Sequence, residues 1–142
     1  ETRYRDLFEN TNDALATFTV EGTLTQVNPG TEHLLGWSRE EMIGKPYQQF
    51  LTPASRAFAE ERTRRFLAGE KLPSTFEVEE VRKGGTTIHV DARTRPIYDQ
   101  AGQLIGFQGS YRNITERKQA EAALQASEER YRIVSQSISD FA

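Results

Sequence analysis

The chain has no cysteine. That absence excludes disulfides, thiolate metal sites, thiol nucleophiles, covalent c-type haem attachment and the cysteinyl adducts of flavin photochemistry. No apolar run approaches the roughly 18–20 residues of a membrane span, and no signal peptide opens the chain. We therefore expect a cytoplasmic segment, in a parent protein that a membrane segment elsewhere could still anchor.

The chain also lacks a large excess of charge of either sign, since its 18 Lys and Arg residues nearly balance its 21 Asp and Glu residues. Nucleic acids and anionic membranes attract basic surfaces, so we expect neither a nucleic-acid partner nor direct membrane contact. With 142 residues, 36% of them hydrophobic, the chain has room for one domain with its own core.

Hydrophobic periodicity predicts two strands, then short helices, then three strands. The strands are expected at residues 14–20, 23–27, 76–81, 88–93 and 104–112, and the longest helix at residues 53–68. Asn28 and Pro29 have the character of a helix cap and a first helical residue, and Ser38 and Glu41 have capping-box spacing. Runs of this kind predict an α+β domain with an antiparallel sheet rather than parallel βαβ units.

Two blocks of sequence carry a family resemblance. The block Asn28–Pro46 resembles the helix-turn-helix segment of the Per-Arnt-Sim (PAS) family. The block Gly102–Lys118 is similar to the PAC motif, the Gly…Gly…Arg-Asp-Ile-Thr-Glu-Arg-Lys ending of bacterial members. The likeness covers about residues 1–117. It implies a five-stranded antiparallel sheet of order 2-1-5-4-3, with short helices on one face and a further helix at each end.

In this family the space between helices and sheet holds haem, flavin or small metabolites. The resemblance therefore implies a ligand pocket, and a small-molecule ligand is an open expectation. The candidate pocket residues are Trp37, Phe50, Phe58, Phe76, Val78, Val90, Ala92, Leu104 and Gln108.

We expect that no cofactor is bound, and the sequence leaves open which cofactor a bound one would be. Light-oxygen-voltage relatives place a reactive cysteine where this chain has Tyr47, so a covalent flavin adduct is excluded. Gln108 stands where those relatives keep a flavin-contacting glutamine, which leaves non-covalent flavin as a minor alternative. Haem-binding relatives use a histidine on the long helix, whereas the two histidines here are His33 and His89, so haem is not expected. No His, Asp or Glu spacing predicts a metal site.

Signal relay is expected at Asn113, Ile114 and Thr115, which precede the outgoing helix. Asn113 replaces the family's aspartate, which often forms an ion pair within the domain. The amide can cap the helix, with Glu116 at capping-box spacing, but it cannot form the charged pair.

The last strand predicts a surface for assembly. If Leu104, Gly106 and Gln108 face the pocket, alternation places Ile105, Phe107 and Tyr111 on the outer face of the sheet. An apolar outer face needs a cover, which the opening helix of this chain or of a partner would supply. The covering residues would be Tyr4, Leu7 and Phe8.

The outgoing helix predicts a second surface, because apolar and small residues recur along it at alternating steps of three and four. This coiled-coil seam comprises Ala120, Leu124, Ser127, Tyr131, Val134 and Ile138. A plain helical spacer is the alternative. Together the two surfaces predict a homodimer.

The motif Arg-Tyr-Arg at residues 3–5 recurs at residues 130–132, which predicts a tandem array of domains. The expected organisation is an amphipathic helix at residues 1–12, a PAS core at residues 13–114, a coiled-coil linker helix at residues 115–130 and the truncated start of a second PAS repeat at residues 131–142.

The predicted function is that of a sensory relay and dimerisation module in a bacterial signalling protein, most simply a sensor histidine kinase. Its partners would be a second copy and the adjacent PAS and output domains of the same chain. The alternatives are a cofactor-binding redox or gas sensor, and a module of a diguanylate cyclase or phosphodiesterase. The segment itself is not expected to be an enzyme, because no nucleophile–base pair or metal set stands out.

Overall fold

The computed structural model describes the backbone of residues 2–141 and the side chains of residues 5–139. Its helices are α1 (Thr2–Asn10), α2 (Pro29–Leu35), α3 (Arg39–Met42), α4 (Pro53–Leu67) and α5 (Thr115–Phe141). Its strands are β1 (Ala14–Thr19), β2 (Leu24–Val27), β3 (Thr75–Val81), β4 (Thr87–Tyr98) and β5 (Leu104–Asn113), and a single 3-10 turn covers Tyr47–Phe50.

The strands form one sheet of order β2-β1-β5-β4-β3, with every neighbouring pair antiparallel. The predicted α+β fold and strand order are therefore confirmed. The long connection between β2 and β3 carries α2, α3, the 3-10 turn and α4. It covers one face of the sheet and leaves the other face uncovered by these helices, which gives the two faces different chemistry.

Helix α2 begins at a buried asparagine. The side-chain oxygen of Asn28 accepts hydrogen bonds from the backbone N–H of Thr31 at 3.0 Å and of Leu15 at 2.8 Å. Its amide nitrogen donates to the carbonyl oxygens of Phe8 at 3.0 Å and Asp13 at 2.8 Å. One side chain, 0% exposed, thus caps α2 and fixes the end of α1 and the start of β1.

The neighbouring residue allows this close packing. A side-chain carbon at Gly30 would overlap the backbone carbonyl of Asp13, so only glycine lets α2 approach β1 here. Helix α3 starts with the predicted capping box: Ser38 accepts from the N–H of Glu41, and the Glu41 carboxylate accepts from the N–H of Ser38 at 2.8 Å.

The predicted faces of the last strand were wrong for Phe107 and Gln108. Phe107 lies opposite Phe18 of β1 and Pro96 of β4, and these three residues line a cavity under the helices. The alternate position, Gln108, is on the outer face and accepts a hydrogen bond from the Nε of Arg95 at 2.8 Å. The family resemblance in the Gly106–Gln108 segment placed the alternate side chains of the strand on the wrong faces of the sheet. A shift of one residue moves every side chain of a strand to the opposite face.

The same inversion applies to Tyr111, which also lines the cavity instead of the outer face. Ile105 is the exception, because the β4 register steps from Gly106 to Leu104 and leaves Ile105 as the extra residue of a bulge, 51% exposed. The outer face of β5 is therefore largely polar. The prediction that it is an apolar patch needing a cover is incorrect.

Helix α1 is attached to the domain through its second half. Phe8 is buried, whereas Leu7 is exposed, and the carboxylate of Glu9 forms an ion pair with Arg39 at 2.9 Å. The Tyr4 side chain, also predicted for the covering face, lies outside the described residues. Helix α5 runs unbroken past residues 130 and 131, and the predicted boundary of a second repeat there stays a prediction.

We predict that Asn28→Ala lowers the free energy of unfolding by about 3 kcal/mol or more, because it removes a helix cap and leaves several buried backbone groups without partners. Urea denaturation followed by circular dichroism measures the change. Asn10→Ala, at an exposed position of α1, is the matched control and should change stability by less than about 0.5 kcal/mol. Equal effects of the two substitutions would contradict the role assigned to Asn28.

Candidate functional site

A cavity of about 180 Å³ lies between the sheet and the helices that cover it. Aromatic side chains dominate its wall. They are Phe18, Tyr47, Phe50, Phe66, Phe76, Phe107 and Tyr111. A concave, mostly apolar space with few polar groups is the usual form of a small-molecule site.

Four of the predicted pocket residues line this cavity: Phe50, Phe76, Val78 and Ala92. They come from the 3-10 turn, β3 and β4, and the three strand residues alternate with residues that point elsewhere. A strand placed against a core must alternate in this way, so the sequence pattern was sufficient to find these three strand residues.

The remaining predicted pocket residues lie elsewhere. Val90 is completely buried in the core, and Leu104 packs against that core without lining the cavity. Trp37 packs edge-on against the ring of Phe50 at 5.6 Å. Phe58 is 48% exposed and packs against the ring of the wall residue Phe76, at 5.9 Å between centroids.

Gln108 is the pocket candidate that the structure contradicts. Its side chain is bonded to Arg95 on the outer face of the sheet, away from the cavity. The residue that resembles a flavin-contacting glutamine therefore does not face the site, and the resemblance gives no geometric support for flavin.

A series of ring contacts connects the sheet to the covering helices. Phe107 lies 5.7 Å from Phe18 and 5.5 Å from Phe66, and Phe18 lies 4.7 Å from Tyr47 between ring centroids. Such tilted and edge-on pairs add about 0.5–1.5 kcal/mol each beyond the area that they bury. The rings therefore hold the cavity wall together from β1 and β5 to α4.

The position of the Tyr111 ring depends on the absence of a side chain at Gly109. A side-chain carbon at Gly109 would overlap the phenol ring, so the missing side chain leaves the space that Tyr111 occupies along the inner face. Burial is the main cause that raises the pKa of the Tyr111 phenol, and the nearby Glu80 adds to it. Tyr111 is therefore a neutral hydrogen-bonding group in the wall.

Glu80 is the buried carboxyl group among the lining residues that the sequence interpretation missed. It is only 7% exposed, and its Oε1 atom has no hydrogen-bond partner among the described residues. Desolvation raises the pKa of its carboxyl group from the ordinary 4.5 to about 8. Strand alternation in the sequence could have identified Glu80, because Phe76, Val78 and Glu80 share one face of β3 and that face packs toward the core.

The remaining charged group of the described cavity wall is Arg62 on α4, whose guanidinium lies 4.0 Å from the centre of the Phe76 ring. A cation over an aromatic face is stabilised by the ring quadrupole. Partial desolvation lowers the pKa of Arg62, which nevertheless keeps its charge near neutral pH.

The predicted relay residues form the junction between the sheet and α5. Ile114 is buried and its N–H donates to the carbonyl of His89 at 2.8 Å. The Thr115 hydroxyl accepts from the N–H of His89 at 2.9 Å and donates to Asn113 Oδ1 at 2.6 Å. Asn113 Oδ1 also accepts from the N–H of Thr115, so the amide caps the helix start through Thr115.

Charged pairs hold the first turn of α5 against β3. Glu77 accepts from Lys118 at 2.7 Å and from Arg117 at 2.9 Å. Hydrogen bonding to Lys118 is the main cause that lowers the pKa of the Glu77 carboxyl group. Glu77 is on the outer face of β3, directly between the wall residues Phe76 and Val78 of the same strand.

The predicted seam of α5 is exposed in the single chain. Leu124 is 61% exposed, and Tyr131, Val134 and Ile138 are also exposed. Within the part of the chain that the structure describes, no helix is both long and apolar enough to cross a membrane. Among those same residues, no group of three or more His, Cys, Asp or Glu side chains is placed to hold a metal ion.

A five-stranded antiparallel sheet with a cavity under short helices, and with a long helix leaving its last strand, defines a small α+β sensory domain. The chain belongs to the PAS fold family, whose family model matches residues 8–119.

Relatives with known roles are sensors of signal-transduction systems. The methyl sulfide methyltransferase-associated sensor of Methanosarcina acetivorans is 34% identical over 87% of this chain, which corresponds to 12% of that protein. The C4-dicarboxylate transport sensor protein DctS of Rhodobacter capsulatus is 30% identical over 78% of this chain and 17% of its own length. The chain thus spans less than a fifth of either relative.

Solved structures agree on the fold. A PAS domain of a protein from Colwellia psychrerythraea superposes with a TM-score of 0.70 at 26% identity, over 81% of this chain and 97% of that one. A sensory box histidine kinase/response regulator structure from Burkholderia thailandensis gives a TM-score of 0.69 at 19% identity, over 92% of this chain and 98% of that one.

We predict that Glu80 makes stability fall as pH rises. Between pH 4.5 and about 8 the folded chain keeps the Glu80 proton that the unfolded chain releases, so the free energy of unfolding decreases across this window and then levels off. Relative to Glu80→Gln, which has no such proton, the loss should be on the order of 3–5 kcal/mol.

Urea denaturation of both proteins at pH values from 4 to about 9 measures the difference, in which the titration of all other groups cancels. Parallel stability curves for the two proteins would show that the folded environment does not retain the Glu80 proton.

Proposed function

We propose that this chain is a homodimeric sensory relay module of a larger signal-transduction protein, with a sensor histidine kinase as the output. The sensor names of its relatives support this reading. The segment itself would bind and transmit but not catalyse. A change in the cavity would alter the strands that line it and then the helix that leaves them.

The junction at Thr115 is the observation that carries the proposal. Tyr111 and Ala92 lie opposite each other in β5 and β4, and both line the cavity. Only a few residues further along the same two strands, His89 and Asn113 bond to Thr115 at the start of α5. A displacement of the wall therefore has a short, hydrogen-bonded route into the helix.

The α5 seam supports the dimer. The exposed side chains of the seam form an apolar surface that a second copy could cover. Burying each large side chain would contribute on the order of 1.5–3 kcal/mol. Small residues at Ala120 and Ser127 keep the seam weak, which suits a helix that must rotate or shift at modest cost.

We predict that the protein is dimeric at high micromolar concentration in size-exclusion chromatography with light scattering. Leu124→Glu places a charge in the seam and should shift the species to a monomer. Gln125→Glu adds the same charge one position away, outside the seam, and should leave the dimer intact. A monomeric unmodified protein, or equal effects of both substitutions, would overturn dimerisation through α5.

We predict that Thr115→Val loosens the junction without unfolding the domain. The substitution removes the acceptor of the His89 N–H, so the exchange of that amide hydrogen should accelerate by about tenfold. Thr87→Val, at an exposed position of the same strand, is the control and should leave the His89 amide unchanged. Unchanged exchange in Thr115→Val, measured by NMR, would remove the junction from the relay.

A further inference from the structure

An aliphatic residue would fill the structural role of Glu80 better than its buried carboxyl group does. Phe76 and Val78 occupy the preceding wall positions of β3, and an aliphatic side chain at residue 80 would continue that wall without a desolvation cost. Instead a polar atom is enclosed with no partner among the described residues. An unsatisfied buried polar group is destabilising, and a ligand that bonds to it recovers that loss.

We propose that the cavity binds a compact, neutral and mostly apolar molecule through a single hydrogen-bonding group, such as a hydroxyl or an amide, that pairs with the buried carboxyl group of Glu80. This inference rests on the proposed sensory function, and it specifies the ligand class of that function. A protonated carboxyl group has both a donor and an acceptor, so it matches ligand groups that also have both.

The cavity limits the size of the ligand. Its volume of about 180 Å³ is slightly larger than an engineered cavity of about 150 Å³ that holds benzene. A single six-membered ring with one small substituent fits this space. The rings of Phe18, Phe66 and Phe107 offer it faces and edges for stacking.

The surrounding groups favour a neutral ligand over a cation. The titratable and charged side chains of the described wall are Tyr47 from the 3-10 turn, Arg62 from α4, Glu80 from β3 and Tyr111 from β5. Burial raises the pKa of both tyrosines, so they stay neutral. Arg62 is already positive, and a ligand cation would have to displace the Glu80 proton that burial retains.

The test uses three probes of similar size: benzyl alcohol, toluene and benzylammonium. Each is titrated at pH 6.5 into the whole chain, into Glu80→Gln and into Glu80→Leu, with backbone amide shifts followed by NMR. Glu80→Gln keeps a neutral donor and acceptor in nearly the same volume. Glu80→Leu keeps the volume and removes both polar functions.

We expect benzyl alcohol to bind more tightly than toluene by about five- to tenfold in the original protein and in Glu80→Gln, which is the contribution of one hydrogen bond. Glu80→Leu should lose this preference but still bind toluene, which also shows that the variant is folded.

Two results would overturn the inference. If benzylammonium is the tightest probe and Glu80→Gln abolishes its binding, the site takes cations through a carboxylate. If no probe at millimolar concentration shifts the amides of Glu80 or Tyr111 in any of the three proteins, the cavity is not a small-molecule site. Neither result affects dimerisation, which is measured separately.

The same titration separates the ligand site from the relay. Shifts at the amides of Thr115 and Lys118 that follow binding would connect the cavity to α5. Saturable binding at Glu80 with no response in α5 would preserve the ligand site and refute the relay.

Discussion

The side chain of Asn28 is the constraint on which the arrangement of the domain depends. Its four backbone partners lie on the end of α1, at the start of β1 and in the first turn of α2. Because it is fully buried, water cannot replace these bonds. The asparagine therefore fixes where the incoming helix ends and where the helical cover of the sheet begins.

The helices that cover the sheet create a cavity in which the requirements of stability and of ligand binding conflict. Tightly packed aromatic rings close the wall, yet Glu80 introduces a polar group that the fold alone leaves unsatisfied. Buried groups with strongly perturbed titration cluster at functional sites for this reason. The same sheet connects the wall to α5 through Thr115, so the functional surfaces of the domain share β3, β4 and β5.

Much of the fold followed from local patterns. Caps at Asn28 and Ser38 and the strand alternation over Phe76 and Val78 were sufficient for the element order and the α+β class, and the family resemblance supplied the strand order. Three of the cavity residues followed from strand alternation. Local patterns did not determine which side chains of β5 face the cavity, because the glycines and the mixed polarity of this strand fit either face of the sheet. The resemblance of Gln108 to a flavin-contacting residue favoured the wrong face. Dimerisation and the domain boundaries stay predictions.

The sequence by itself determined the helix starts, the turns and the absence of thiol chemistry, because these depend on neighbouring residues and on composition. Only the tertiary structure decided that Phe107 and Tyr111 face inward and that Gln108 faces Arg95. It also decided that Glu80 is buried with its Oε1 atom lacking a hydrogen-bond partner among the described residues, since burial depends on what α4 and the 3-10 turn place above β3. Such contacts join residues far apart in the chain, and no local pattern specifies them.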